Sequence, residues 1–174
     1  MKKAFVFDYD ETLATTECRI LVRSKGNAEF GNWNKIVKKL TPSEYNTYNI
    51  KDDCYYDFSE FSSPDFIHNA NPTKLIELAK EVYDEGHNVF VITARSDDVS
   101  SAIASFLAGF DIKPVSIHCV GGPIEDGLKV DIALEKRKVL ETIKEIHDLV
   151  YYYDDCPKNC DAAREISFVK VYLQ

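Results

Sequence analysis

Apolar residues in this chain come in short unbroken runs that stop abruptly at polar ones. Ala4-Phe5-Val6-Phe7 ends at Asp8, the run at 88–93 (NVFVIT) ends at Ala94-Arg95, and the run at 149–153 (LVYYY) ends at Asp154-Asp155. Runs at 115–120 (VSIHCV) and 167–172 (SFVKVY) are similar. Lengths of four to six, rich in β-branched and aromatic residues and without alternation, predict strands buried on both faces, as in a parallel sheet. Between them the apolar period lengthens. Asn71 is predicted as an N-cap with Pro72 as the first helical residue, followed by Leu75, Ile76, Ala79, Val82 and Tyr83 until Gly86. Asp97 or Asp98 opens a second helix with Val99, Ile103, Phe106 and Leu107 on one face and Gly109 as its stop. A third is predicted over about residues 131–147, and a short fourth after Pro157. From Thr73 onward helix and strand alternate, which predicts an α/β fold with a sheet of about five parallel strands flanked by helices.

The stretch 13–72 interrupts that alternation and is too long for a βα loop, so it is expected to be an insertion with its own structure. The expected division is a core of residues 1–12 and 73–174 and an insertion of residues 13–72. Within the insertion, residues 16–22 suit a hairpin arm. Trp33, Ile36, Val37 and Leu40 fall on one helical face, and Thr41-Pro42-Ser43-Glu44 spells a capping box. Nine of the chain's twenty-one aromatics lie here: Phe30, Trp33, Tyr45, Tyr48, Tyr55, Tyr56, Phe58, Phe61 and Phe66. A segment of this length needs such rings to form a core, so packing is favoured over base stacking. Lys35, Lys38 and Lys39 are read as a solvated face rather than a phosphate patch.

The 174 residues suit one domain, and 45% hydrophobic with 29% charged residues excludes a disordered chain. A core of this size needs no metal or disulfide staple, so a metal would serve chemistry. The net charge of −8 opposes broad tracking of nucleic acid or anionic membranes, though not a local site for one phosphate. No apolar run approaches a signal or spanning length. Five irregularly spaced cysteines fit free thiols in a reducing cytoplasm, the expected location, and Cys156 and Cys160 have no partners to complete a metal site.

The chemistry gathers at strand ends. Asp8 and Asp10 follow the first strand and Asp154 and Asp155 the fourth; if these strands are neighbours, up to four carboxylates share one volume. Two like charges about 4 Å apart repel by about 4 kcal/mol at an effective dielectric near 20, so a cation is required. Oxygen ligands without clustered His or Cys point to Mg²⁺. Thr93-Ala94-Arg95 places a hydroxyl and backbone N–H groups on the same rim, suited to phosphate oxygens. On the third helix Lys136 shares the apolar face of Val139, Leu140 and Ile143, whereas Lys138 lies about 200° around the wheel, towards water.

Together these residues resemble the haloacid dehalogenase (HAD-like) superfamily in its phosphatase branch: Asp-x-Asp-x-Thr at 8–12, the strand-end Thr93, the helix-borne Lys136 and the acidic pair 154–155. The resemblance covers residues 2–12 and 73 to the end, with the insertion where the family inserts caps. It implies a Rossmann-like sheet, Asp8 as a nucleophile forming an aspartyl phosphate, and Asp10 as general acid and base. It also implies Mg²⁺ held by Asp8, the Asp10 carbonyl and Asp154 or Asp155, with Thr93 and Lys136 on the phosphoryl group. Glu11 departs from the family, many of whose members have glycine there. A finer resemblance is to bacteriophage-encoded members, including the phosphatase half of phage polynucleotide kinase-phosphatases. It rests on Thr93-Ala94-Arg95, the paired Asp, and the stretches LTPSEYNTY and YDFSEF; no kinase phosphate-binding loop is present.

The expected activity is therefore Mg²⁺-dependent hydrolysis of a small phosphorylated substrate, in the first instance a nucleotide (a nucleotidase), because the acidic surface suits a compact ligand. A nucleic-acid 3′-end phosphatase is the second reading. A non-enzymatic receiver-like or idle phosphate-binding module is the third; a receiver would carry its phosphorylated Asp after the third strand, where this chain has Gly121-Gly122.

Overall fold

The structure, a computed structural model, describes residues 3–26, 31, 33–45, 47–121 and 130–174. Lys2, Phe30 and Gly122, invoked above, lie outside the described residues. The elements in chain order are β1 (Lys3–Phe7), β2 (Ala14–Thr15), β3 (Ile20–Lys25), β4 (Trp33–Leu40), α1 (Pro42–Tyr45), β5 (Cys54–Asp57), α2 (Pro64–His68), β6 (Asn71–Pro72) and α3 (Leu75–Asp84). They continue with β7 (Asn88–Thr93), α4 (Ser100–Ala108), β8 (Ser116–Cys119), α5 (Ile132–Glu145), β9 (Leu149–Asp154), α6 (Pro157–Arg164) and β10 (Val169–Leu173). Short 3₁₀ turns cover Ser59–Ser62 and Asp97–Val99.

Five strands form an all-parallel sheet in the order β10-β9-β1-β7-β8. Because the side-chain period of a strand is two, each central strand supplies both faces. Phe5, Phe7, Val89, Val91 and Tyr153 pack on one face with Ile76, Ala79, Ile103 and Leu107 of α3 and α4. Ala4, Val6, Phe90, Ile92, Val150 and Tyr152 pack on the other with Leu140, Ile143 and Ala163 of α5 and α6. This two-sided burial is why the strands read as continuous apolar runs. The connections change direction at β1, which lies between β7 and β9, so its carboxyl end is the switch point where α/β sheets hold ligands.

Residues 20–57 build a separate antiparallel sheet, β4-β3-β5, whose core of Ile20, Val22, Leu40 and Cys54 is packed by Tyr45, Tyr48, Tyr56, Phe58 and Phe61. The capping box forms: Thr41 N–H donates to Glu44 Oε2 (2.8 Å) and Glu44 N–H to Thr41 Oγ1 (3.2 Å). The helical face expected at 33–40 does not form. This segment is an edge strand with Trp33, Ile36 and Val37 exposed and Leu40 buried. Two register shifts against β3 and the left-handed Asn34 (φ 58°) break the strand's period-two alternation, leaving apolar positions spaced like a helix.

Asn71-Pro72 is likewise extended rather than helical, because it pairs with Ala14-Thr15 where the insertion leaves and rejoins the core. Thr73 Oγ1 then accepts from Leu75 N–H (3.2 Å) at the true helix start. All five cysteines are free thiols. No helix among the described residues is long and apolar enough to cross a membrane.

Candidate active site

Asp8 is the first residue past β1. Its backbone N–H donates to Tyr153 O (2.8 Å), which continues the β1–β9 ladder one step and brings Asp8 beside the end of β9. Asp8, Asp154 and Asp155 each place a carboxylate oxygen so that all three lie within 4.8 Å of one another. Lys136, only 2% exposed, rises from the buried face of α5 between them, with Nζ 2.5 Å from Asp8 Oδ1 and 2.7 Å from Asp154 Oδ2. Lys138 faces solvent and pairs with Glu135. Helical phase therefore distinguishes the two lysines as the sequence predicts.

One ammonium, bonded to Asp8 and Asp154, leaves two negative charges uncompensated among the described residues when all three acids are ionised. Burial is the main force raising the Asp8 carboxyl well above its ordinary range; Lys136 opposes it, while Asp154 and Asp10 add to it. Burial works against the charge of Lys136, yet Asp8 and Asp154 outweigh it and raise its pKa. Burial, then the charge of Asp154, pushes Asp155 up to about 6. The deficit of two charges, in an all-oxygen donor set, matches one hard divalent cation, so the residues present fit Mg²⁺.

The two acids of the pair are not equivalent. Asp154 is fully buried, and its Oδ1 accepts from Cys156 N–H (2.8 Å) and Asn159 Nδ2 (3.1 Å). Its Oδ2 accepts from Lys136, Asn159 and the Tyr152 hydroxyl. With about four acceptor sites on a carboxylate, Asp154 is saturated. Asp155 is half-buried and has no side-chain donor of this kind among the described residues. Asn159, on the first turn of α6, is a residue the sequence reading missed; only its i+5 spacing from Asp154 hints at it.

Asp10 stands apart from the other three acids. Its carboxylate is gripped by Arg95, Nε to Oδ2 at 2.9 Å and Nη2 to Oδ1 at 2.7 Å. Three of the four expected carboxylates therefore converge, and the fourth is held to one side. Arg95 itself is turned away from the role expected of it, since its guanidinium is buried against Asp10 and the insertion rather than open to a phosphate. Thr93 is buried at the end of β7, with Oγ1 accepting from Arg95 N–H (3.2 Å), while Ala94 is exposed on the rim. Gly121 presses on this turn: a Cβ there would lie 1.9 Å from Ala94 O, and its N–H donates to Arg95 O (3.1 Å). A side chain at 121 would displace the rim.

The loop after β1 is tight. Leu13 and Ala14 N–H groups both donate to Tyr9 O (3.0 Å each), which forces Glu11 into the left-handed region (φ 57°). That backbone state explains why glycine suits this position and why glutamate there is strained. Thr12 is buried, and neither its Oγ1 nor the Tyr9 hydroxyl has a hydrogen-bond partner among the described residues.

No family model and no curated protein sequence matches the chain. Solved structures do. A chain of a Pnkp1/Rnl/Hen1 complex is 17% identical with a TM-score of 0.59 over 99% of this chain, and a second, from a Pnkp1/Rnl/Hen1 RNA repair complex, is 14% identical with a TM-score of 0.58 over 100%. This chain spans only 45% and 42% of those two chains. A haloacid dehalogenase-family enzyme from Bacteroides thetaiotaomicron, solved as a magnesium complex, is 13% identical with a TM-score of 0.51 over 99% of this chain and 93% of that one. With its parallel sheet ordered around β1 and its acids at the carboxyl ends of β1 and β9, this chain has the fold of the haloacid dehalogenase-like hydrolases.

Proposed function

We propose that this protein is a Mg²⁺-dependent phosphomonoesterase that acts on a small phosphorylated substrate, in the first instance a nucleotide, through an aspartyl phosphate on Asp8. The observation that carries the reading is the convergence of Asp8, Asp154 and Asp155 around Lys136 at the switch point of the sheet. In the first step Asp8 Oδ attacks phosphorus and the bond from phosphorus to the leaving oxygen breaks. Asp10, at the rim, gives its proton to that oxygen. In the second step Asp10 takes a proton from water, whose oxygen attacks phosphorus and breaks the aspartyl P–O bond, releasing phosphate. Lys136 and Thr93, with the N–H groups of the 93–95 turn, hold the phosphoryl oxygens.

Asp8, Asp155 and the Asp10 carbonyl would hold Mg²⁺, with the saturated Asp154 orienting Lys136 behind them. Bound there, the ion supplies positive charge that lets an anionic nucleophile meet an anionic phosphate. The segment 13–72 acts as a cap that selects substrate. The test is phosphate release from p-nitrophenyl phosphate. Release is expected only with Mg²⁺ and is expected to vanish in Asp8→Asn with the fold intact; undiminished release in that variant would remove Asp8 from its role.

A second reading, hydrolysis of 3′-phosphates at nucleic-acid ends, is favoured by the two Pnkp1/Rnl/Hen1 likenesses and by strand β4. The strand exposes Trp33, Lys35 and Lys38 with no acid of its own, while Lys39 is paired with Glu60 (3.8 Å). Under this reading a 3′-phosphorylated oligonucleotide is turned over far faster than mononucleotides, and the advantage falls with salt. A receiver-like store of phosphate fits less well, because the described end of β8 runs into Gly121 with no carboxylate.

A further inference from the structure

Arg95 is among the largest fully buried side chains of the protein, yet it lies on the rim of the proposed site. Besides its two bonds to Asp10, Nη2 donates to Thr16 Oγ1 (3.1 Å) and Cys18 Sγ (3.3 Å) and Nη1 to Phe61 O (2.9 Å), with the Phe61 ring 5.1 Å from the guanidinium carbon. These contacts engage about four of the five N–H protons that a guanidinium carries. Thr16 and Cys18 lie on the outgoing limb of the 13–72 segment and Phe61 on its return. Next to Phe61, Ser62 Oγ meets Ser96 Oγ at 3.0 Å, a second tie between the limb and the residue after Arg95.

We propose that Arg95 is a positioning residue. Its planar fork fixes the orientation of the Asp10 carboxylate towards the leaving oxygen, and contacts from the two limbs of the insertion fix the fork. The proposal rests on the reading of Asp10 as the proton donor to that oxygen. A bidentate pair sets the plane of the carboxylate as well as its distance, which a lysine point charge cannot do. Swinging Arg95 onto a phosphate would break both bonds to Asp10 and give up the contacts to Thr16, Cys18 and Phe61. The geometry therefore separates this role from direct phosphate binding.

The experiment compares the parent with Arg95→Met, Arg95→Lys, Asp10→Asn and the Arg95→Met/Asp10→Asn double variant. Each acts on p-nitrophenyl phosphate, whose leaving group needs little protonation, and on an alkyl phosphate, whose leaving group needs it. Inorganic phosphate serves as the competitive probe. Arg95→Met is expected to lose about 100-fold in kcat on the alkyl ester and about 10-fold or less on the aryl ester. KM and phosphate inhibition should stay within about two-fold, with no further loss when Asp10 is already Asn. Arg95→Lys should fall between parent and Met, and it carries the same comparison if Arg95→Met does not fold.

A ten-fold rise in KM and in the phosphate inhibition constant with kcat retained would overturn the proposal and make Arg95 a phosphate ligand. Equal losses on both esters, or additive losses in the double variant, would also overturn it. An inactive parent would instead overturn the phosphatase reading beneath it.

Discussion

Replacing Lys136 with methionine tests the electrostatics of the site without touching the acids. Nζ lies 2.5 Å and 2.7 Å from two buried carboxylates, and methionine retains much of the aliphatic stem, so little cavity is created. What is lost is, among the described residues, the only ammonium bonded to the converging acids. Removing one partner of a buried ion pair costs about 3–5 kcal/mol because the other charge is left without compensation. Against a total stability of about 5–15 kcal/mol this is a large share.

The cost should depend on pH in a stated direction. Burial raises the folded-state pKa of Asp8, so its protonated form is favoured by folding; that contribution is present below the unfolded value near 4 and is lost as pH rises through the folded value. The variant should therefore recover as pH falls. Mg²⁺ should restore part of the loss, since a cation at 100 times its Kd stabilises by about 2.7 kcal/mol. Urea titrations at pH 5 and pH 7.5, with and without Mg²⁺, read all three effects. A loss below about 1 kcal/mol at pH 7.5, or a larger loss at pH 5 than at pH 7.5, would show that Lys136 does not compensate the charge of these acids.

Three further outcomes are expected. Tyr9→Phe removes a buried hydroxyl that has no partner among the described residues, so thermal unfolding should show the variant equal to the parent or more stable by about 1 kcal/mol; a loss above 1 kcal/mol would mean the hydroxyl is satisfied. Glu11→Gly relieves a left-handed backbone and should add about 1 kcal/mol by the same measurement, whereas a destabilised variant would show that the loop needs the glutamate side chain. Asp155, with its carboxyl raised to about 6, adds stability below pH 4 that is lost as pH rises through 6 in metal-free protein. Asp155→Asn should remove about 1–2 kcal/mol of that pH-dependent change, discounted because the carboxyl is only half-buried, and should remove the Mg²⁺ response; an unchanged pH dependence would contradict the assignment.

The sheet was legible because its strands are buried on both faces. Phe5 and Val6 point to opposite cores, so the run at 4–7 has no polar interruption until Asp8. Lys136 was legible for a related reason: a helix with one apolar face makes a lysine on that face stand out. The segment 33–40 was not, because bulges against β3 shift the strand's alternation into a spacing that mimics a helix. Nor could local sequence show that Arg95 turns onto Asp10, since the acceptors that hold it come from Thr16, Cys18 and Phe61, distant along the chain. That Asp154 and Asp155 differ follows from the donors that Tyr152 and Asn159 supply to Asp154, which the order of residues alone does not reveal.

In the proposed reaction Asp8 takes the phosphoryl group. Incubating the Asp10→Asn protein with a ³²P-labelled phosphate ester and Mg²⁺, quenching in acid, and mapping the label by peptide analysis tests it most directly. Mg²⁺-dependent label is expected on the peptide containing Asp8, released by alkali and absent from Asp8→Asn. Label on any other residue, or steady phosphate release by Asp8→Asn, would contradict it.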